Sequence, residues 1–475
     1  MNIKNYILIA SLACACSSCE LLQPNEIINP NVDEDTFLKT PNAMSTWVNG
    51  ANRSFATIIG SYVELTEILS DNYFNNYSQS SKVFDFPTIL YTDIDVTNLQ
   101  RHVGTLRETA IQGLEVVAKA DATTTDEQRY NLYYIKGYSY LLAGEYFRAL
   151  PVENGGEIKG WKENLNLAIS TFTEALKFTS DTDETAFINT LIARAYYRLG
   201  DKVNAVKYAS NVLTLSTDFT KQVTFDGENN VISSIQGYIY GTNFQPLPRL
   251  DFLDPKYFQT KAKEARPICI AKAEEPYLIL AEAALADNDV NGAKGFLKTL
   301  LRLVNNRPVA TDINDQLEGR YNGGYKEYPN SSEYRVAASS EDEFRSGLVL
   351  DRQSPHLISV PYISGTSVTE EMIDAPTTVD GLLEVLYLMR QEIFMAEGRR
   401  AADLGIRFPV YETEAANTPS AAEYTTAQIP SFIPLNQDMD AFEMDKEAKT
   451  VVIKYNMNRI IVQNKSSEYV APFFN

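Results

Sequence analysis

The chain has 475 residues, of which 44% are hydrophobic and 22% are charged, and its formal net charge is −20. This apolar fraction supports a large core, and the charged fraction is ordinary for a globular protein. So acidic a surface repels phosphate backbones, which argues against nucleic acid as a partner. It also offers no basic patch to anionic lipids.

The N-terminus is typical of a bacterial lipoprotein signal. An early lysine precedes an apolar run over residues 6–15, which is shorter than the roughly 20 residues of a membrane-spanning helix. Small residues then lead to three cysteines. We predict a signal peptide over residues 1–18 and acylation of Cys19, because polar sequence follows that cysteine directly; Cys14 and Cys16 are the alternatives, and ordinary secretion is another.

The rest of the chain, residues 19–475, is predicted to be one domain, because no linker rich in Pro, Gly or Ser divides it. No later stretch is apolar enough to span a membrane. If Cys19 is acylated, Cys269 has no partner, so disulfides do not organise the fold. We expect the Cys269 thiol to be buried and inert.

Three segments have the spacing of tetratricopeptide helix pairs. In "TLIARAYYRLGDKVNAVKYASNVL", Ala193, Tyr196, Gly200 and Ala205 give the order small, aromatic, turn glycine, small. The pairs are predicted over about 127–178, 186–213 and 273–304. Their unequal separation predicts a mostly α fold, in which tetratricopeptide-like pairs form one scaffold interrupted by long, irregular, loop-rich insertions.

Three insertions are rich in Tyr, Phe and Asn, at residues 70–81, 235–252 and 318–335. Aromatic rings offer flat faces to sugar rings or peptide side chains, and Asn bonds hydroxyls or amides without adding charge. Irregular segments on a rigid scaffold are common binding sites. The alternative is that these aromatics pin their own loops to the scaffold. Trp47 is expected in the core, and Trp161 fits either role.

Catalytic motifs are scarce. The two histidines, His102 and His356, belong to no ligand-spaced cluster, and H-E-x-x-H, G-x-S-x-G and C-x-x-C do not occur. A P-loop beginning at Gly155 fails because Trp161 stands in place of the lysine. An EF-hand-like start at Asp287 fails because Lys298 replaces the twelfth-position glutamate. We therefore predict no catalytic residue, metal or cofactor, although a carboxylate pair remains possible in so acidic a chain.

The segment "LYLMRQEIFMAEGRRAADLGIRFPV", residues 386–410, resembles the C-terminal E-G-R-R-x-x-D-L motif of the SusD/RagB family, the surface nutrient-binding lipoproteins of Bacteroidetes. "EEPYLILAEAAL", "CELLQPNEIINPN" and "IPSFIPLNQDM" resemble other family landmarks in the right order. The chain departs from the family in continuing "DLGIRFPV" after the arginines and in having few tryptophans. The matching motif residues are Glu392, Glu397, Gly398, Arg399, Arg400, Asp403 and Leu404.

The resemblance implies a SusD-like fold and a non-enzymatic lipoprotein on the outer membrane, facing the cell exterior. Such proteins bind an oligosaccharide, or in RagB-like members a peptide, and deliver it to a SusC-like TonB-dependent transporter. By position in the family, the predicted ligand-binding residues are Asn72, Tyr73, Phe74, Asn75, Asn76, Tyr77, Tyr238, Tyr240, Asn243 and Phe244. The motif residues are expected to be scaffold, with Glu397, Arg399, Arg400 and Asp403 at helical spacings that permit ion pairs.

Glycan is the preferred ligand, because many glycan-binding proteins use tyrosine. Three other functions stay open: a RagB-like peptide-binding protein, a tetratricopeptide-type adaptor that holds a protein partner, and a surface glycosidase.

Overall fold

The computed structural model describes residues 34–75, 82–85, 87–240, 243–259, 263–314, 327–351, 357–435 and 439–475. The predicted signal peptide with Cys14, Cys16 and Cys19 lies outside these residues, as do Asn76, Tyr77 and His356. Among the described residues, no helix combines the length and hydrophobicity needed to cross a bilayer.

Helices dominate the structure, which confirms the predicted mostly α fold. They are α1 (Glu34–Leu38), α2 (Ala43–Ile68), α3 (Lys82–Asp85), α4 (Ile94–Gln112), α5 (Asp126–Tyr146), α6 (Trp161–Ala175), α7 (Thr182–Leu199), α8 (Lys202–Leu215), α9 (Ser234–Tyr240), α10 (Glu274–Ala286), α11 (Val290–Asn305), α12 (Glu370–Asp374), α13 (Val379–Ile393), α14 (Arg400–Asp403), α15 (Glu412–Asn417) and α16 (Met457–Gln463). A π-helical turn, Gly113–Val117, and a last turn, Ala118–Ala120, extend α4. The 3-10 segments are Leu176–Phe178, Gly227–Asn229, Pro248–Tyr257, Pro419–Tyr424 and Pro472–Phe474.

The strands are short and form small, separate sheets. They are β1 (Tyr73–Asn75), β2 (Ala149–Pro151), β3 (Ile158–Gly160), β4 (Thr220–Val223), β5 (Phe244–Pro246), β6 (Ile268–Lys272), β7 (Val309–Asn314), β8 (Arg335–Ala337), β9 (Leu357–Pro361), β10 (Phe442–Asp445) and β11 (Thr450–Ile453). The pairs β1–β5, β2–β3, β4–β6 and β7–β9 are antiparallel. In the three-stranded sheet, β11 lies between antiparallel β10 and parallel β8.

Three antiparallel helix pairs, α5–α6, α7–α8 and α10–α11, lie where the sequence places the tetratricopeptide-like repeats. Gly137 lets the first pair approach closely, because a Cβ there would lie 2.5 Å from the Phe172 ring. Gly200 ends α7 with a φ of 75°, a left-handed conformation that favours glycine. Asp201 then caps α8 by accepting a hydrogen bond from the Asn204 N–H at 3.0 Å.

The two tryptophans have structural partners. Trp47 is half-buried against the core, and its Nε1–H donates to the Thr109 carbonyl at 2.9 Å. Trp161 begins α6, and the Arg407 guanidinium lies 4.0 Å from its ring centroid. Burial lowers the pKa of Arg407 to about 9. Both rings therefore help to hold the scaffold together.

The C-terminal motif forms a buried ionic network. Its spacing suggested ion pairs between motif residues along a helix, but these residues do not pair with one another. The chain turns at Ala396 and Gly398, where φ is 59° and 71°, and α14 begins only at Arg400. The motif residues instead pair with distant partners. These ion pairs are Lys256–Glu397, Lys272–Glu397, Arg399–Glu275, Arg400–Asp71, Arg390–Asp403 and Arg198–Asp403, and Arg194 also pairs with Glu275.

One buried carboxyl on α10 is predicted to make stability depend on pH. Burial raises the pKa of Glu282 to about 7, and its oxygens accept hydrogen bonds from the hydroxyls of Tyr197 at 2.8 Å and Tyr387 at 3.3 Å. A carboxyl whose pKa is higher in the folded than in the unfolded chain stabilises the fold at pH values below its unfolded-state pKa. This stabilisation is lost as the pH rises through the folded-state pKa of about 7. In Glu282→Gln, we therefore expect the loss of unfolding free energy between pH 5 and pH 8 to shrink by roughly 2 kcal/mol.

Urea unfolding at pH 5, 6, 7 and 8 measures this change. The control is Glu174→Gln, which alters a carboxyl that is 46% exposed and should leave the pH profile of the wild type. A Glu282→Gln profile parallel to the wild-type profile would contradict the account.

Candidate ligand-binding site

The structure brings the predicted aromatic insertions together. Strand β1 from the first insertion pairs with β5 from the second, with Tyr73 opposite Pro246 and Asn75 opposite Phe244. From the third insertion, the Tyr328 ring lies 6.1 Å from the Phe74 ring, centroid to centroid. The three segments are far apart in sequence and form one aromatic region in space.

Most of the predicted contact residues in this region are buried, which corrects their assignment as a ligand platform. Residues 72–75 and Phe244 have at most 4% of their surface exposed. The Asn72 amide donates to Glu67 Oε2 at 2.8 Å and accepts from Gln391 Nε2 at 2.9 Å. The strand pairing places these side chains inside the protein. Here the alternative interpretation applies, in which the aromatics pin their own loops.

Tyr238 and Asn243 do reach a cleft, of about 440 Å³. Its walls come from α9 and from residues that precede and follow α9 in the chain. The lining residues are Gly227, Ile232, Ser233, Ser234, Gln236, Gly237, Tyr238, Asn243, Gln259, Lys263, Glu264 and Ala265. Of the other predicted contact residues, Tyr240 is the last residue of α9.

Helix α9 packs against α2. The two helices are in contact at Gly60 of α2, where a Cβ would lie at van der Waals distance, 3.4 Å, from the Ser234 backbone nitrogen. The Tyr238 ring stacks on Phe244, with centroids 4.8 Å apart, and Phe244 lies 6.5 Å from Tyr73. The buried aromatics of the predicted loops therefore support the Tyr238 ring, which lines the cleft.

The opposite wall of the cleft is held by side-chain amides. Gln236 accepts from the Arg266 backbone N–H at 2.9 Å and donates to the Glu264 carbonyl at 3.0 Å. Gln259 donates to the same carbonyl at 3.2 Å. At the rim, Lys263 and Glu228 form an exposed ion pair of 2.8 Å. Gln259 and Lys263 were not predicted from the sequence, because they follow the aromatic insertion and carry no aromatic signal.

The described lining of the cleft combines the Tyr238 ring with amide and hydroxyl groups, and its two charged residues, Lys263 and Glu264, are each in an ion pair. Asn243 is half-buried and lines the cleft. Burial raises the pKa of the Glu64 carboxyl on α2 to about 7, which reduces negative charge behind α9 near neutral pH. Across the described ranges, no cluster of His, Cys, Asp or Glu could hold a metal. This chemistry suits a ligand rich in hydroxyls or amides.

The other candidate reactive groups lie apart from this cleft. Burial lowers the pKa of the half-buried His102. Cys269 is a free, buried thiol, as predicted, and burial raises its pKa to about 11, which keeps it protonated near neutral pH.

The sequence matches no protein-family model, and no curated protein matches it. The fold does match solved structures. A SusD superfamily protein from Bacteroides vulgatus ATCC 8482 is 11% identical with a TM-score of 0.51, over 87% of this chain and 96% of that one. One from Bacteroides fragilis is 14% identical with a TM-score of 0.51, over 80% and 98%. A Bacteroides vulgatus protein provisionally described as sugar-binding is 12% identical with a TM-score of 0.50, over 82% and 98%.

These likenesses identify the fold. The chain has a SusD-like fold, as the resemblance of its C-terminal motif predicted.

Proposed function

We propose that this protein is a non-enzymatic, glycan-binding SusD-like protein that captures oligosaccharide in the cleft beside α9. The observation that carries the proposal is that Tyr238, Asn243 and Gln259 line the same cleft. An aromatic face covers the apolar side of a sugar ring, and amides bond its hydroxyls without a charge.

The fold supports the same ligand class. One structure with this fold is provisionally described as a sugar-binding protein. Because a shared fold does not by itself specify a ligand, the choice of glycan depends on the residues that line the cleft. The half-buried Asn243 amide and the supported Tyr238 ring are the groups that would contact the sugar.

The proposal extends to location and partner. The sequence up to Cys19 supports a lipid anchor in the outer membrane, with the folded domain on the cell exterior. In that position the protein would hand its oligosaccharide to a SusC-like TonB-dependent transporter. The acidic composition adds no basic patch for lipid, so attachment would come from the acyl chains.

Calorimetric titration of the full chain in mild detergent tests the ligand class. The panel contains neutral oligosaccharides of glucose, xylose and mannose, and short uncharged peptides. We expect saturable binding of at least one glycan, which chromatography then recovers intact. Binding of peptides alone would replace the proposal with the RagB-like alternative, and cleavage of the glycan would contradict a non-enzymatic role.

A further inference from the structure

A second cleft, of about 530 Å³, lies between α4 and the chain that joins β2 to β3. Tyr411 and Glu414 close one side of it. This cleft shares no lining residue with the one beside α9, so an inference about it stands apart from the proposed function.

A buried arginine, Arg107, lines this second cleft. Its side chain is 3% exposed. Its Nη1–H donates to the Pro151 carbonyl, and the guanidinium carbon lies 4.4 Å from the Tyr140 ring centroid. Its Nε and Nη2 atoms are buried and have no hydrogen-bond partner among the described residues. Burial lowers the pKa of Arg107 to about 10, so it is still a cation at neutral pH.

At three other arginines of this protein, the Nε–Nη2 edge holds a carboxylate. Arg194 bonds Glu275 in this way at 2.9 and 2.7 Å, and Arg307 bonds Glu274 at 2.8 and 2.7 Å. Arg400 does the same to Asp71 at 2.5 and 3.0 Å. The Nε and Nη2 atoms of Arg107 have no such carboxylate among the described residues, although a buried cation is costly unless a counter-charge is bound.

We propose that this second cleft binds a ligand carboxylate on the Nε–Nη2 edge of Arg107. A planar carboxylate matches the two parallel N–H donors of a guanidinium, and pairing restores the charge balance that burial demands. The rim of the cleft carries Glu108, Glu153 and Glu414, together with the exposed Arg101. This acidic rim repels phosphates and polyanions more strongly than a ligand with a single carboxylate.

Two sources supply such a group, namely an acidic sugar and the C-terminus of a peptide. The probes are methyl β-D-glucuronide and N-acetylalanine, and each is compared with its uncharged counterpart, methyl β-D-glucoside or N-acetylalanine amide. All four are titrated calorimetrically into the full chain at pH 7 and low salt. We expect at least one acid to bind about tenfold or more tightly than its counterpart. The acid that binds identifies the source. Equal affinity within both pairs, or no binding of either acid, would overturn the proposal.

Variants locate the site. Gly104 lines the cleft on α4, and a Cβ there meets nothing within 4 Å, so Gly104→Phe should fill the cleft and leave the fold intact. We expect Gly104→Phe and Arg107→Gln each to weaken carboxylate binding about tenfold or more. Arg101→Gln is the matched control, because it removes an exposed arginine from the same cleft; its affinity should stay within about twofold of wild type.

The blocking variant keeps the proposal testable even if Arg107→Gln fails to fold. Unchanged binding in Gly104→Phe would exclude this cleft as the site. An equal loss in Arg101→Gln would show general attraction to surface cations, and would overturn the role of Arg107.

Discussion

Replacing Asp71 with alanine is expected to lower the free energy of unfolding by about 3–5 kcal/mol, because it breaks a buried ion pair from one side. Asp71 has 0% of its surface exposed. Its oxygens accept hydrogen bonds from Arg400 at 2.5 and 3.0 Å, and from Gln391 at 2.9 Å. Arg249 Nη2 lies 3.7 Å from Asp71 Oδ2. The variant would leave two guanidinium groups in the core without this counter-charge.

The network also matters for the cleft beside α9. Asp71 lies two residues before the start of β1, and Arg249 lies in the 3-10 segment that follows β5. Burial alone would raise the pKa of Asp71, but the charges of Arg400 and Arg249 hold it below its ordinary value. The pairing therefore joins the two strands whose aromatics support Tyr238.

Chemical denaturation of the wild type and Asp71→Ala measures the effect. The control is Glu174→Ala, which removes an exposed ion pair with Lys177 and is expected to cost about 1 kcal/mol or less. If the two variants lost equal stability, the buried network would not have the role assigned to it.

Gly398→Ala is expected to be the second large destabilisation, of about 2–5 kcal/mol. Gly398 has a φ of 71°, which costs a residue with a Cβ roughly 1–2 kcal/mol. The new Cβ would also lie 2.8 Å from Thr66 Oγ1 and 3.2 Å from Val63 Cα. Because the Val63 contact is to backbone of α2, the strain cannot be relieved by rotating a side chain, and overpacking adds about 1–3 kcal/mol.

Gly347→Ala separates these two causes. Gly347 also has a positive φ, of 80°, but a Cβ there meets nothing within 4 Å. The free energy of unfolding of Gly347→Ala should therefore fall only by the backbone term of about 1–2 kcal/mol. Thermal or urea unfolding of both variants gives the difference, and equal losses would show that the approach of Gly398 to α2 is unimportant.

The helical scaffold could be predicted from the sequence because its signals are local. The turn glycine at Gly200 and the small residues around it lie within one helix pair. The ionic network could not be predicted in this way. Asp71 and Arg400 are 329 positions apart, and only the folded chain brings them together. The spacing of the motif residues suggested local ion pairs, but the turns at Ala396 and Gly398 direct their side chains to distant partners.

The candidate site was predicted by region more accurately than by residue. Aromatic insertions did converge, but the pairing of β1 with β5 joins segments about 170 positions apart and buries Tyr73 and Phe244. Tyr238 and Asn243 were the predicted residues that reach the cleft. An asparagine that binds a ligand and one that fixes a strand, such as Asn72, look the same in sequence.

The central claim, that the cleft beside α9 binds a glycan, is tested most directly by the affinity of Tyr238→Ala for the glycan that binds the wild type. Loss of one stacked ring should weaken binding by about 1–3 kcal/mol, a range taken from aromatic stacking platforms. Tyr208→Ala is the matched control, because Tyr208 also stacks on an aromatic ring, that of Tyr196, but lines no part of this cleft. We expect weaker glycan binding in Tyr238→Ala and wild-type binding in Tyr208→Ala. Equal, wild-type affinity in two folded variants would contradict it.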